Sequence, residues 1–292
     1  RSGYHLFVTQ DYMSRIRGGH NFTQIRVSNK PIYSIHIGSH LLVALDQQSA
    51  DLHYSHLSGP SIIIHDLNTV KVPKTVKIHD VGIPIKKIAV ESGSPLYSNS
   101  VVLGIVSALL KLELSILRNI LKACFVKKSA EQTKGNMTAA AEGFRYTSKN
   151  FQNLTITLGK VKKKNRMLIC GSESISLGMM AGGLRFISAY PMSPSTGIFT
   201  FVTNKGRRVG ILSEQAEDEI AACNMALGAS AAGARAAVTT SGGGLSLMSE
   251  AISLSGMAEI PIVIVNMQRP GPATGLPTRT AQEDLDFDLH IG

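Results

Sequence analysis

Aromatic residues are scarce: Phe, Tyr and Trp make up 5% of the 292 residues, and Trp is absent. Proteins that hold single-stranded nucleic acid stack its bases on aromatic side chains along a basic groove. The basic residues here are not interleaved with Tyr or Phe, so no such platform is present and no nucleic-acid partner is expected. Cysteine is scarce as well. Cys124, Cys170 and Cys223 stand far apart with no CxxC among them, so this chain builds neither a disulfide framework nor a four-thiolate metal or iron–sulfur site. A reducing cytoplasm is the expected setting. Long hydrophobic runs are missing too. The apolar stretches end at a charge or turn well short of the ~20 residues that cross a bilayer, and no membrane association is expected. No charged-then-apolar opening with a small-residue cleavage site is visible, so no signal peptide is read.

What is present suffices for about two domains, at roughly 150 residues each. Apolar residues make up 43% and charged residues 17%, enough to bury a core in each. Charge divides the chain. Residues 1–165 hold 22 Lys and Arg against nine Asp and Glu, whereas residues 166–292 hold eight against 11. The basic half suits an anionic cofactor or an acidic partner. The composition shifts near 150–166, where Lys160-Val-Lys-Lys-Lys-Asn-Arg166 reads as a solvated basic tether. Boundaries follow: a first domain over 1–155, a linker over 156–166 and a second domain over 167–292.

In the first domain, β-branched runs between polar turns predict strands at Tyr4–Thr9, Phe22–Ser28, His40–Asp46, Ser61–His65 and Ile85–Val90. Helices follow from Ser98 to Tyr146, where Val101, Val102, Ile105, Val106, Leu109 and Leu110 recur at helical spacing. In the second domain, strands at Met167–Cys170, Val209–Leu212, Arg235–Thr239 and Pro261–Asn266 alternate with helices at Ser172–Gly182, Glu214–Ala231 and Leu245–Ser255. Apolar strands alternating with helices predict an α/β fold with a doubly wound parallel sheet, which binds ligands beyond the carboxyl ends of its strands.

Four segments fall at such places. In Ala189-Tyr-Pro-Met-Ser-Pro-Ser-Thr-Gly197, Pro194 suits a first helical turn capped by Ser193; the segment is either a helix start or a rigid loop presenting Ser193 to an anion. Glu214-Gln-Ala-Glu-Asp-Glu-Ile-Ala-Ala222 sets acids at a helix start, where they complement the dipole, and carries Glu219 up against a tightly packed apolar run, where a carboxylate needs a partner. Thr239-Thr-Ser-Gly-Gly-Gly244 lets backbone approach a ligand, but it is neither GxGxxG nor a phosphate loop. In Gln268-Arg-Pro-Gly-Pro-Ala-Thr-Gly-Leu-Pro-Thr-Arg-Thr280, three prolines and two glycines forbid helix and strand, and Arg269 with Arg279 could clamp a carboxylate. His53-Tyr-Ser-His56 has metal-pair spacing but no evident third ligand, and reads as a helix surface; no metal site is expected.

Taken together, Tyr190-Pro-Met-Ser-Pro-Ser-Thr196, Glu217-Asp-Glu-Ile-Ala-Ala222, Thr239-Thr-Ser-Gly-Gly-Gly244 and Gln268–Thr278 resemble the α subunit of 2-oxoacid:ferredoxin (acceptor) oxidoreductases, in its domain for the pyrimidine half of thiamine diphosphate. The first half is similar to the family's γ domain through Ser14-Arg-Ile-Arg-Gly-Gly19, Gln24-Ile-Arg-Val-Ser28 and Asn99-Ser-Val-Val-Leu-Gly104. The family's GGQGV-type γ opening is absent and α runs on beyond Gly292, so both domains are expected to be incomplete. The loop has Met192-Ser193 where many members have Ile-Thr, which keeps the hydroxyl.

The resemblance implies coenzyme A-dependent oxidative decarboxylation of a 2-oxoacid, 2-oxoglutarate or similar, with electrons passed to ferredoxin. It implies that Glu219 bonds N1′ of the aminopyrimidine, and that Ser193 lies near the substrate carbonyl. Arg269 and Thr278 would recognise the 2-oxoacid. Tyr190, Pro191, Ser241, Gly242, Gly243 and Gly244 would line the cofactor. Thiamine diphosphate would be shared with a β subunit carrying Mg²⁺ and an iron–sulfur cluster, in a dimer of α–β units. Two other readings stay open: another thiamine diphosphate enzyme, or a non-catalytic assembly or binding subunit.

Overall fold

Isoleucine-rich β-branched segments fill the middle of a small parallel sheet in the first half of the chain. The computed structural model describes residues 3–12, 20–73, 77–126, 128–162, 167–268 and 284–291. Two compact units emerge, one of residues 1–9 and 24–165, the other of residues 10–23 and 166–292. Strands β1 (His5–Tyr12) and β2 (Asn21–Ser28) pair as a two-stranded sheet. In the first unit, β3 (Ser39–Ala44), α1 (Gln47–His53), β4 (Leu57–Asp66) and β5 (Ile78–Ile83) follow, with β3, β4 and β5 in parallel register. Helices α2 (Ile85–Glu91), α3 (Ser98–Leu109), α4 (Leu114–Cys124) and α5 (Ala130–Asn150) complete it.

Four of the five strands expected in this half are found. The fifth, Ile85–Val90, is instead helix α2: Ile85, Ile88 and Ala89 are its buried residues, at helical and not alternating spacing. The third parallel strand is Ile78–Ile83, just upstream. Ile62, Ile64, Val81 and Ile83 from the sheet pack on Ile85, Ile88, Val101, Ile105 and Leu109 from α2 and α3.

Helices α3 and α5 cross with backbones nearly touching. A Cβ added at Gly104 would overlap Ala140 O and stand 2.8 Å from Phe144 N, and one at Gly143 would overlap Val101 O. Backbone cannot yield as a side-chain tip can, so Gly104→Ala must push the helices apart. Overpacking of this kind costs about 1–3 kcal/mol, and thermal denaturation should show a melting temperature lower by several degrees. An unchanged melting curve would contradict the crossing.

The second unit holds α6 (Gly171–Ala181), β6 (Phe186–Ala189), α7 (Thr196–Gly206), β7 (Leu212–Gln215), α8 (Glu219–Ala231), β8 (Ala236–Thr240), α9 (Gly243–Leu247), α10 (Ser249–Met257), β9 (Val263–Asn266) and α11 (Leu285–His290). Its sheet has the order β7-β6-β8-β9, every pair parallel. Alternate β8 residues serve opposite faces. Ala237 joins Leu184, Ile187, Ile198 and Val202 on the α7 side, whereas Ala236 and Val238 join Cys223, Leu227, Met248 and Ala251 on the α8 and α10 side. With helices on both faces, the doubly wound parallel sheet read from the sequence is the one observed.

Three local expectations fail. Met167–Cys170 is not a strand: Met167 and Leu168 are 74% and 71% exposed and pair with nothing in the sheet. Val209–Leu212 is broken by Gly210 in the left-handed region (φ 76°), so the strand starts at Leu212. The helix expected from Glu214 starts at Glu219, because Asp218 is extended and caps it, its side chain accepting from Ala221 N at 2.7 Å. Strand β6, which lies between β7 and β8, was not read in the sequence at all.

Candidate functional site

Because every strand of the second sheet runs the same way, the loops leaving their carboxyl ends share one edge. Hydrogen bonds knit these loops together. Ala216 N donates to Ala189 O at 3.0 Å, joining the ends of β6 and β7. Met267 N donates to Thr240 O at 2.9 Å, joining β9 to β8. Ser195 N donates to Ser241 Oγ at 3.4 Å, bringing the Tyr190–Thr196 loop to the glycine turn. That turn is itself fastened by Gly242 N donating to Asn266 Oδ1 at 3.2 Å, while Asn266 Nδ2 donates to Asp288 Oδ1 at 2.9 Å.

Glu219 is the first residue of α8 and is only 4% exposed. The helix N-terminus favours its negative charge. Ser188, on β6, donates through Oγ to Ala222 O at 2.6 Å and so ties the opening turn of α8 to the sheet. Among the described residues, the buried side-chain oxygens without a hydrogen-bond partner are Glu219 Oε1, Thr239 Oγ1 and Thr240 Oγ1. Leaving a buried polar atom unpaired is costly. Two of them, Glu219 Oε1 and Thr240 Oγ1, meet beside Gly244 at the ligand end of the sheet and mark a place built to meet polar groups.

The glycine turn abuts this carboxylate. Gly242 takes φ 45°, ψ −116°, a conformation that L side chains rarely adopt. A Cβ on Gly244 would stand 2.8 Å from Glu219 Cγ and 2.9 Å from Glu219 Oε1, and would overlap the Thr240 hydroxyl. A Cβ on Gly243 would meet nothing within 4 Å. Ser241 is fully buried.

The loop after β6 differs from its expected form. Ser193 does not cap a helix begun by Pro194; a turn over 193–195 intervenes and α7 starts at Thr196. Ser195 Oγ donates to Met192 O at 2.7 Å and Thr196 N to the same carbonyl at 3.1 Å, which closes that turn. The Ser193–Pro194 peptide is cis. Ser193 is half-buried, and Tyr190 and Pro191 are exposed. Arg269, Thr278 and Arg279 lie outside the described residues, as do the Ser14–Gly19 motif and residues 163–166 of the basic stretch.

Elsewhere, His53 and His56 sit at the end of α1 with ring centroids 5.6 Å apart. No group of three His, Cys, Asp or Glu side chains that could hold a metal occurs among the described residues. Nor is any described helix long and apolar enough to cross a membrane. Cys223 packs inside α8, where burial pushes its thiol up to about 11, so it stays protonated and unreactive at neutral pH. A cleft of about 430 Å³ includes Met179, Leu184, Arg235 and Ile262 in its lining and lies at the opposite, amino end of β8. In its lining, Ser230 Oγ donates to Pro261 O and Arg235 Nη1 to Gly182 O.

Sequence reasoning named the segments that hold Ser195 and Thr240 but gave neither residue a role, and it missed Ser188 and Asn266 as parts of this site. Asn266 had a signal, being the polar last residue of an otherwise apolar strand at the ligand end. Ser188 had none, because its strand was not recognised.

Comparison with known proteins finds a family for the chain. A family described as pyruvate ferredoxin/flavodoxin oxidoreductase matches residues 1–146, and its thiamine diphosphate-binding domain matches residues 177–292. The 2-oxoacid:ferredoxin oxidoreductase α subunit of a Sulfolobus species is 30% identical over 100% of the chain and 54% of its own length. The 2-oxoglutarate oxidoreductase subunit KorA of Mycobacterium tuberculosis is 32% identical over 64% of the chain and 30% of its own length. The solved 2-oxoglutarate:ferredoxin oxidoreductase of Magnetococcus marinus, with 2-oxoglutarate, coenzyme A and succinyl-CoA bound, superposes with a TM-score of 0.89 at 30% identity, over 98% of this chain and 50% of that one. The chain thus spans about half the length of the full-length relatives it matches.

Proposed function

Because the chain belongs to the 2-oxoacid:ferredoxin oxidoreductase α-subunit family, we propose that it holds the pyrimidine half of thiamine diphosphate in a coenzyme A-dependent 2-oxoacid:ferredoxin oxidoreductase. The observation that carries this reading is the Glu219 carboxylate, buried at the start of α8 with Oε1 unpartnered and facing the glycine turn. That arrangement fits the group: a buried carboxylate at the edge of the glycine turn suits a flat ring bearing a basic nitrogen, and the glycines leave room for close approach.

Bound there, the cofactor supplies the nucleophilic carbon and the electron sink for decarboxylation. The protein's part is to orient and to move a proton. Glu219 holds the proton shared with ring atom N1′, which sets the basicity of the exocyclic amine. Ser241 and Gly242–Gly244 form the wall beside the ring, with Tyr190 and Pro191 at its outer margin. Ser193 offers a hydroxyl to the substrate carbonyl. Arg269 anchors the 2-oxoacid carboxylate by a charge-assisted bond, and Thr278 completes that contact.

The wider reading follows the family. Residues 1–155 form a γ-type domain, 156–166 a basic linker and 167–292 the pyrimidine-binding domain. A β subunit contributes Mg²⁺ and the iron–sulfur cluster, α–β units pair, and ferredoxin takes the electrons in the cytoplasm. The basic first half meets coenzyme A phosphates or an acidic partner. The likeness to a structure with 2-oxoglutarate and succinyl-CoA bound supports 2-oxoglutarate as substrate.

The test is turnover by the full-length chain assembled anaerobically with its β subunit, followed as viologen reduction with coenzyme A, thiamine diphosphate and a panel of 2-oxoacids. 2-Oxoglutarate should be oxidised fastest. A cluster-loaded, assembled complex that oxidises no 2-oxoacid would sink the reading.

A further inference from the structure

We propose that Thr240 is a positioning residue for Glu219: its hydroxyl donates to Glu219 Oε1 and fixes the carboxylate, leaving the other oxygen to face the ring nitrogen of the bound pyrimidine. The inference rests on the thiamine diphosphate reading above. Thr240 is the last residue of β8, is fully buried, and has no partner for Oγ1. Strand alternation places it with Ala236 and Val238 on the α8 face, while Thr239 falls on the other face with Ala237. Both Thr240 Oγ1 and Glu219 Oε1 crowd the position that a Gly244 Cβ would take, so the two oxygens share one small volume.

The chemistry of the pair is complementary. An ionised carboxylate only accepts, and a hydroxyl donates by rotating about one bond. Glu219 Oε1 and Thr240 Oγ1 are each otherwise unsatisfied, and one hydrogen bond between them would satisfy both. Valine has nearly the shape of threonine and would bury no unpaired oxygen, so a threonine at this point is a cost to the fold unless the site uses it. Because Thr240 acts through the carboxylate, its removal should alter how Glu219 meets the cofactor and leave the pocket shape unchanged.

The experiment uses the assembled full-length complex and thiamine diphosphate as the probe. Affinity is read by calorimetry across pH, and the tautomer of the bound aminopyrimidine by circular dichroism. Thr240→Val should weaken binding about tenfold, which is about 1.4 kcal/mol, shift the pH at which the imino form appears, and raise the melting temperature of the cofactor-free protein. Thr240→Ser should restore affinity and pH profile. In a Glu219→Gln background, Thr240→Val should change affinity less than twofold. Equal weakening in both backgrounds, or no weakening in either, would overturn the positioning role while the cofactor reading stood. Failure of the unmodified complex to bind thiamine diphosphate would overturn both.

Discussion

Glu219→Gln is expected to lower turnover of the assembled enzyme by about 10²–10⁴-fold, the range contributed by a positioned proton-transfer group. Glutamine keeps the size of glutamate and a carbonyl oxygen, so the pocket should hold its shape. What it loses is the ability to take and return a proton next to the ring. The fold should tolerate the change. Glu219 is 4% exposed with Oε1 unpaired, so the native carboxylate is itself a burden to stability, offset in part by the helix N-terminus. Melting of the cofactor-free variant should therefore match the parent or exceed it. The informative result is the combination: activity collapses while stability does not. Turnover of Glu219→Gln near the parent's would remove Glu219 from the chemistry, and a large drop in melting temperature would make it a structural carboxylate.

The same residue shows what the sequence can and cannot disclose. That a carboxylate would enter an apolar helix near residue 219 was legible from the small residues of 220–232, and the family resemblance gave it a role. Its isolation was not legible, because whether Oε1 has a partner depends on where β8 and the glycine turn lie in space. The sheet was readable in outline, since Ala236–Thr240 and Val263–Asn266 are short uncharged runs holding β-branched residues. Strand β6 was not. Phe186-Ile-Ser-Ala189 is four residues long, follows Arg185 and places a serine in the core, so no apolar run announces it. Its Ser188 is at home there only because the Ala222 carbonyl, 34 positions later in the chain, accepts from its hydroxyl at 2.6 Å. In the first unit the error ran the other way. Ile85–Val90 is as β-branched as a strand, but its buried positions recur at i, i+3 and i+4 and Pro84 precedes them, so packing on α3 decides for helix over local propensity.

Gly244→Ala should both destabilise the second unit and weaken thiamine diphosphate binding, because the three glycines of the turn stand under different constraints. At Gly242 the backbone requires glycine, with φ at 45°. At Gly243 neither backbone nor neighbours do: φ is ordinary and an added Cβ meets nothing within 4 Å. At Gly244 the requirement is contact, since the added carbon would stand 2.8 Å from Glu219 Cγ and overlap the Thr240 hydroxyl. Neither neighbour can retreat easily. Glu219 is held at the mouth of α8, whose first turn is tied to the sheet through Ser188, and Thr240 is the end of a paired strand. The strain is expected to cost about 1–3 kcal/mol, and relief by turning the carboxylate away would forfeit the cofactor contact. Gly243→Ala is the matched control. One methyl there should leave the melting temperature unchanged or slightly raised, since alanine costs less chain entropy than glycine in a helix. Any loss of affinity in Gly243→Ala at full stability would then locate that face of the turn against the bound ring. If Gly244→Ala melts and binds like the parent, the carboxylate does not rest on this turn, and the geometry assigned to the site is wrong.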